Sequence, residues 1–122
     1  MPNVVVVPFD ALMGDNHRLI PARGRLIANS KYRDAKDALR TRLQAHRPRV
    51  KLHDGTVSLT CTFHWPDRRK RDVTNYGKML CDALTGIAYH DDVQIVDARY
   101  KFGGFDKGNP RVEILVEEAP HA

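Results

Sequence analysis

The chain has 122 residues, 42% of them hydrophobic, with 20 Lys+Arg against 15 Asp+Glu for a formal charge of +5. That is one domain's worth of chain, with enough apolar material for a core that needs neither disulfide nor structural metal, and no apolar run approaches the roughly 18 residues of a membrane span. The opening Met1-Pro2-Asn3-Val4-Val5-Val6-Val7 lacks the basic start and the apolar length of a signal peptide, which leaves a cytosolic domain.

Val4, Val5, Val6 and Val7 open a β-branched run over residues 4–9, a strand that Pro8 helps to end. Residues 10–29 carry Gly14, Pro21 and Gly24 without a clean period. They read as a long loop with a short ribbon around Arg23-Gly24-Arg25, and a loop of that length in a small domain is more often functional or mobile than idle. A helix follows over residues 31–46, with Ser30 as its cap and Tyr32, Ala35, Leu39 and Leu43 on one face. Lys36, Arg40 and Arg47 lie on the other, solvated side, and Pro48 closes the helix.

Val57, Leu59, Cys61 and Phe63 alternate with Ser58, Thr60 and Thr62, the period of a half-buried strand. A second helix spans residues 74–85, with Tyr76, Met79, Leu80, Ala83 and Leu84 as its buried stripe and Gly86 as its stop. Residues 93–102 are β-rich, and Val112, Ile114 and Val116 alternate in a last strand, with 103–110 joining the two as a hairpin. The order β-α-β-α-β-β makes this an α+β chain: one compact domain, a mixed β-sheet with two packed helices.

Cys61 and Cys81 fall on a predicted strand and a predicted helix. They read as reduced, buried thiols, because no second ligand pair is present to close a zinc tetrahedron. Charge is more telling. Arg68-Arg69-Lys70-Arg71 is continuous, while Glu113, Glu117 and Glu118 make the C-terminal strand acidic. The basic run fits either a nucleic-acid backbone or plain solvation.

On the second helix, Asn75, Lys78 and Asp82 share a stripe, with Asp72 just ahead of it. Lys78 and Asp82 are spaced as an ordinary surface ion pair. Asp91-Asp92, at the entrance to the next strand, reads as a solvated turn, the commoner case for such a pair, or as part of a site. Residues 86–91, nearly extended, reach about 20 Å, enough to bring Asp92 back along a helix about 18 Å long. Carboxylates gathered beside Arg68, Arg69, Lys70 and Arg71 would suit Mg²⁺-assisted phosphodiester hydrolysis, since Mg²⁺ takes one or two carboxylates together with substrate phosphate.

The stretch Pro66-Asp67-Arg68-Arg69-Lys70-Arg71-Asp72-Val73-Thr74-Asn75, followed by Lys78, Asp82-Ala83-Leu84-Thr85, Asp91-Asp92, Gln94, Val96 and Asp97, resembles the RusA family of Holliday junction resolvases. The likeness is strong over residues 66–97 and weaker at Asn16, Arg23-Gly24-Arg25 and Tyr32-Arg33. It implies a homodimer, of phage or prophage origin, that nicks four-way DNA junctions in the cytoplasm of a bacterial host and needs Mg²⁺, with Mn²⁺ able to substitute. It implies Asp72, Asp92 and Lys78 as catalytic residues, with Asp91 joining Asp72 and Asp92 on the metal. Arg68, Arg69, Lys70 and Arg71, together with Arg23 and Arg25 of the long loop, would hold DNA. Thr74 stands where the family's second aspartate falls, so Thr74 and Asn75 are supporting positions, and a junction binder with impaired catalysis is the alternative.

Overall fold

The segment Val57–Trp65 runs through the middle of the molecule, and its burial alternates without a break. In chain order the elements are β1 (Val4–Pro8), β2 (Leu19–Ala22), β3 (Arg25–Ala28), α1 (Ser30–Ala45), β4 (Val57–Trp65), α2 (Gly77–Leu84), β5 (Ile95–Phe105) and β6 (Arg111–Glu118). Short 3-10 turns lie at Phe9–Ala11, Asp15–His17, Val73–Tyr76 and Asp92–Gln94. This is a computed structural model, and it describes residues 4–120; Met1, Pro2 and Asn3 of the opening run lie outside the described residues.

Four strands form the main sheet in the order β1-β6-β4-β5. β4 pairs parallel with β5 and antiparallel with β6. A parallel pair needs a crossover, and α2 supplies it. Val57, Leu59, Cys61, Phe63 and Trp65 face a core shared with Tyr32, Leu39 and Leu43 of α1 and with Met79, Leu80, Ala83 and Leu84 of α2. Each such large apolar side chain contributes about 1.5–3 kcal/mol when fully buried. Phe63 and Trp65, 5.2 Å apart and stacked, are core residues. The α+β class, the mixed sheet and the two packed helices stand as expected.

Several boundaries and one pairing differ from the sequence reading: β1 ends at Pro8, and β5 runs Ile95–Phe105, after the turn Asp92–Gln94, rather than 93–102. β5 and β6 do not form a hairpin, because β4 lies between them. Residues 106–110 instead cross the end of β4, where Asp106 N–H donates to the Trp65 carbonyl at 2.8 Å. The strand with the most buried residues thereby takes a neighbour on each edge. The ribbon in the long loop is real and larger than expected: β2 and β3 pair over four residues each. Arg23 and Gly24 both take positive φ at its tip (52° and 77°), the two-residue turn whose twist suits a tight hairpin. α1 begins one residue earlier than expected, with Asn29 rather than Ser30 accepting from Lys31 N–H at 3.0 Å, and it ends at Ala45, before Pro48. The second helix starts as the 3-10 turn Val73–Tyr76 and becomes α-helical at Gly77.

Candidate active site

The basic segment between β4 and α2 is organised by Asp67. Its Oδ1 accepts from Arg69 N–H at 2.9 Å and from Arg71 Nη1 at 2.8 Å. The Arg71 bond, then the Arg69 one, hold its carboxyl below the usual carboxylate range. The four cations are therefore not equivalent. The Arg71 side chain is only 12% exposed, and its guanidinium lies over Phe9 and Trp65, 5.4 and 5.6 Å from the ring centroids. Arg68 lies over the Phe105 ring at 4.4 Å, and that ring meets Phe102 at 5.2 Å. Arg69 and Lys70 stand in solvent.

Asp72 caps the 3-10 turn. Its Oδ1 accepts from the Thr74 hydroxyl at 2.7 Å and from Thr74 N–H at 2.9 Å, which hold its carboxyl below the usual range. Thr74 is thus the donor and Asp72 the cap. Asn75 exchanges two hydrogen bonds of 3.1 Å with Asn16 of the long loop. Lys78 projects from the first turn of α2 with its ammonium 3.4 Å from Asp82, the ion pair expected from the spacing. Lys36 approaches the same carboxylate at 3.9 Å.

Asp91 and Asp92 lie close enough for Asp92 to feel the charges of Asp82 and Lys78. Asp91 caps the turn Asp92–Gln94, its Oδ1 accepting from Val93 N–H at 3.0 Å. Gln94 holds this turn in place: Oε1 accepts from His90 and Asp91 N–H, and Nε2 donates to the His53 and Gly55 carbonyls. The Asp92 carboxyl is pushed up, first by its hydrogen bond with Asp91 and then by burial and the charges of Asp91 and Asp82, with Lys78 opposing. Asp91 is pushed down, first by Val93 N–H and then by the bond with Asp92.

The Asp72 carboxyl is shifted by Thr74, and that of Asp92 by Asp91, Asp82 and Lys78. Between α2 and the turn Asp92–Gln94, Gly86 N–H donates to the Tyr89 carbonyl at 2.6 Å and Ala88 N–H to that of Leu84 at 2.9 Å, which folds the start of the connection into a tight turn. Among the described residues, no group of three or more His, Cys, Asp or Glu side chains stands close enough to hold a metal ion by itself. Exposed carboxylates flanking an exposed lysine fit a hard cation held by one or two carboxylates, with water and phosphate completing the shell; they do not make an all-protein cage.

Sequence reasoning missed two residues. Asp15 accepts from Lys78 N–H at 2.8 Å, Met79 N–H at 3.0 Å and the Tyr32 hydroxyl at 2.7 Å. Arg40, which the helical pattern puts on a solvated face, donates through Nη1 to the carbonyls of Asp82, Ala83 and Thr85 and so caps the C-terminal end of α2. Both bonds join residues more than forty apart, and periodicity carries no signal of that. Arg23 and Arg25 sit at the tip of the ribbon, whose Leu26 is 67% exposed.

A four-stranded mixed sheet backed by two helices thus presents aspartates and a lysine beside a cationic segment, a surface whose charges can meet an anionic backbone. The comparisons sharpen that reading. Residues 8–117 match the family model described as Endodeoxyribonuclease RusA, and the chain belongs to that family. It is 40% identical over 63 residues to the crossover junction endodeoxyribonuclease RusA of Escherichia coli strain K12 and, equally, to that of Enterobacteria phage 82, covering 51% of this chain and 52% of each relative. An uncharacterized protein of Bacillus subtilis strain 168, YqaN, is 45% identical over 49 residues, 40% of this chain and 33% of its own. The chain spans about half the length of the RusA relatives it matches.

Proposed function

We propose that the chain is a Mg²⁺-dependent, structure-specific endonuclease that resolves four-way DNA junctions by paired nicks, as a homodimer, in recombination and repair within the bacterial cytoplasm. The observation that carries this is the family match across residues 8–117, which includes every aspartate and lysine at issue. The names of the Escherichia coli and phage relatives supply the substrate class.

Arg69 and Lys70, standing in solvent, are suited to hold the DNA backbone, with Arg68 beside them and Arg23 and Arg25 on the ribbon; such contacts position DNA rather than read its sequence. Arg71 serves the segment's own shape. Asp72, Asp91 and Asp92 are the carboxylates suited to Mg²⁺, which when bound supplies a polarised water and charge neutralisation at the scissile phosphate. Lys78, paired with Asp82 and acting by its charge on Asp92, presents its ammonium to the phosphate oxygens. A two-fold dimer matches a junction cut symmetrically on two strands.

One observation favours a second reading, a junction binder without catalysis. The Thr74 hydroxyl is neutral and is spent on Asp72. Incubation of a labelled synthetic four-way junction with the protein, with Mg²⁺ or with chelator, separates the two. Paired nicks that require the cation support the nuclease; tight binding with the junction intact in both Mg²⁺ and Mn²⁺ supports the binder.

A further inference from the structure

The start of α2 has no cap of its own: Tyr76, which precedes the helix, offers its N–H groups no side-chain acceptor. The acceptor comes from 63 residues upstream. Asp15 takes Lys78 N–H on Oδ2 and Met79 N–H on Oδ1, and the Tyr32 hydroxyl of α1 donates to the same Oδ1. A carboxylate at this end also opposes the positive pole of the helix. Its neighbours complete the seat. Asn16 is bonded twice to Asn75, and a Cβ on Gly14 would stand 2.3 Å from Asn75 Nδ2, so only glycine admits the amide pair.

We propose that Asp15 is a positioning residue for the reaction, the carboxylate that fixes the first turn of α2 and thereby the place of Lys78 beside Asp82. This rests on the reading of Lys78 as part of a nuclease site. The side chain of Lys78 is long and exposed, so its ammonium is only as well placed as the backbone from which it springs. Asp15 ties that backbone to α1 and to the segment leading into the β2–β3 ribbon, where Arg18 N–H donates to the Asp15 carbonyl at 3.0 Å. Asp15 itself touches no reacting atom. Its loss therefore changes the chemical step and leaves junction affinity alone.

The experiment compares wild type, Asp15→Asn and Val7→Ala, the last a buried change in β1 that lowers stability without touching α2. In single-turnover nicking of a labelled junction in Mg²⁺, Asp15→Asn should slow the step on the order of tenfold or more per folded molecule, since small misplacements of a reacting group cost that much. Its junction Kd should stay within about twofold, the pattern of an interaction felt in the step and not in binding. Val7→Ala should nick at the wild-type rate. Amide hydrogen exchange at Lys78 and Met79 should quicken in Asp15→Asn and not in Val7→Ala. Should Asp15→Asn not fold, Tyr32→Phe, which removes one donor and keeps the charge, must move rate and exchange the same way by less. Wild-type exchange at those two amides in Asp15→Asn or Tyr32→Phe, or a rate loss there no greater than that of Val7→Ala, overturns the proposal. A wild type that never nicks, while the exchange difference persists, overturns the nuclease reading and not the seat of the helix.

Discussion

Thr74 makes two donor groups available, a hydroxyl and an N–H, and Asp72 receives both on one oxygen. Each stabilises the ionised carboxylate, so Thr74→Val, which keeps shape and N–H but deletes the hydroxyl, should move the Asp72 pKa up toward the ordinary carboxylate value in a carbon-detected NMR titration. A second residue-scale consequence concerns acid stability. Glu113 is held below the usual range first by its hydrogen bond with His64 and then by Arg111. A carboxylate depressed in the fold stabilises it at pH above the unfolded value and loses that contribution as pH falls through the folded one. Glu113→Gln should therefore flatten the acid limb of the melting-temperature profile and leave behaviour below the folded pKa unchanged. At this scale the sequence was legible where chemistry is local: Asp72, Lys78, Asp82 and the Asp91–Asp92 pair all reach the surface where their spacing put them. Asp15 was not legible, because its partners Tyr32, Lys78 and Met79 meet it only through the tertiary fold.

Among the elements, α2 shows how closely the site depends on packing. An added Cβ at Gly77 would stand 3.0 Å from the Tyr100 ring and hydroxyl of β5, and that hydroxyl is 3.5 Å from Cys81 Sγ. Gly77→Ala should destabilise by about 1–3 kcal/mol through overpacking, measured by denaturant unfolding. In a Tyr100→Leu background the clash is gone, and the same change should become neutral or stabilising by up to about 1 kcal/mol from helix preference. A cost independent of Tyr100 would contradict the close approach. The buried stripe of α2 and the alternation of β4 were readable because a period of 3.6 or 2 names a buried face. Alternation does not name a neighbour. Strands β5 and β6 looked like a hairpin because 103–110 is rich in Gly, Asn and Pro, yet the nine-residue apolar β4 takes the place between them. The ribbon was half-readable, its Arg23-Gly24 tip being the local signal and its strands too short to show a period.

For the whole molecule, charge becomes a binding property. If DNA lies along the cationic segment, the double change Arg69→Ala with Lys70→Ala should reduce the slope of log K against log salt by about two, roughly one for each cation that no longer meets a phosphate. Arg71→Ala should instead act on folding, because its guanidinium joins Asp67 to Phe9 and Trp65. Fluorescence anisotropy at several salt concentrations, paired with melting curves, distinguishes the two. The fold class could be read from one chain, but the relation of Asp72 to Asp92 could not. Chain length only bounds a distance and does not set it.

The carboxylates on which the nuclease reading depends are tested most directly by nicking of a labelled four-way junction in Mg²⁺ by wild type and Asp92→Asn, with linear duplex as control. Asp92 is exposed at a turn held by Gln94, so the substitution should spare the fold and junction binding. The expected result is paired nicks by wild type on the junction and not on the duplex, abolished in Asp92→Asn while both proteins bind the junction alike. Equal cleavage by both proteins would contradict the assignment of Asp92, and intact junctions bound tightly by both would replace the nuclease with a junction binder.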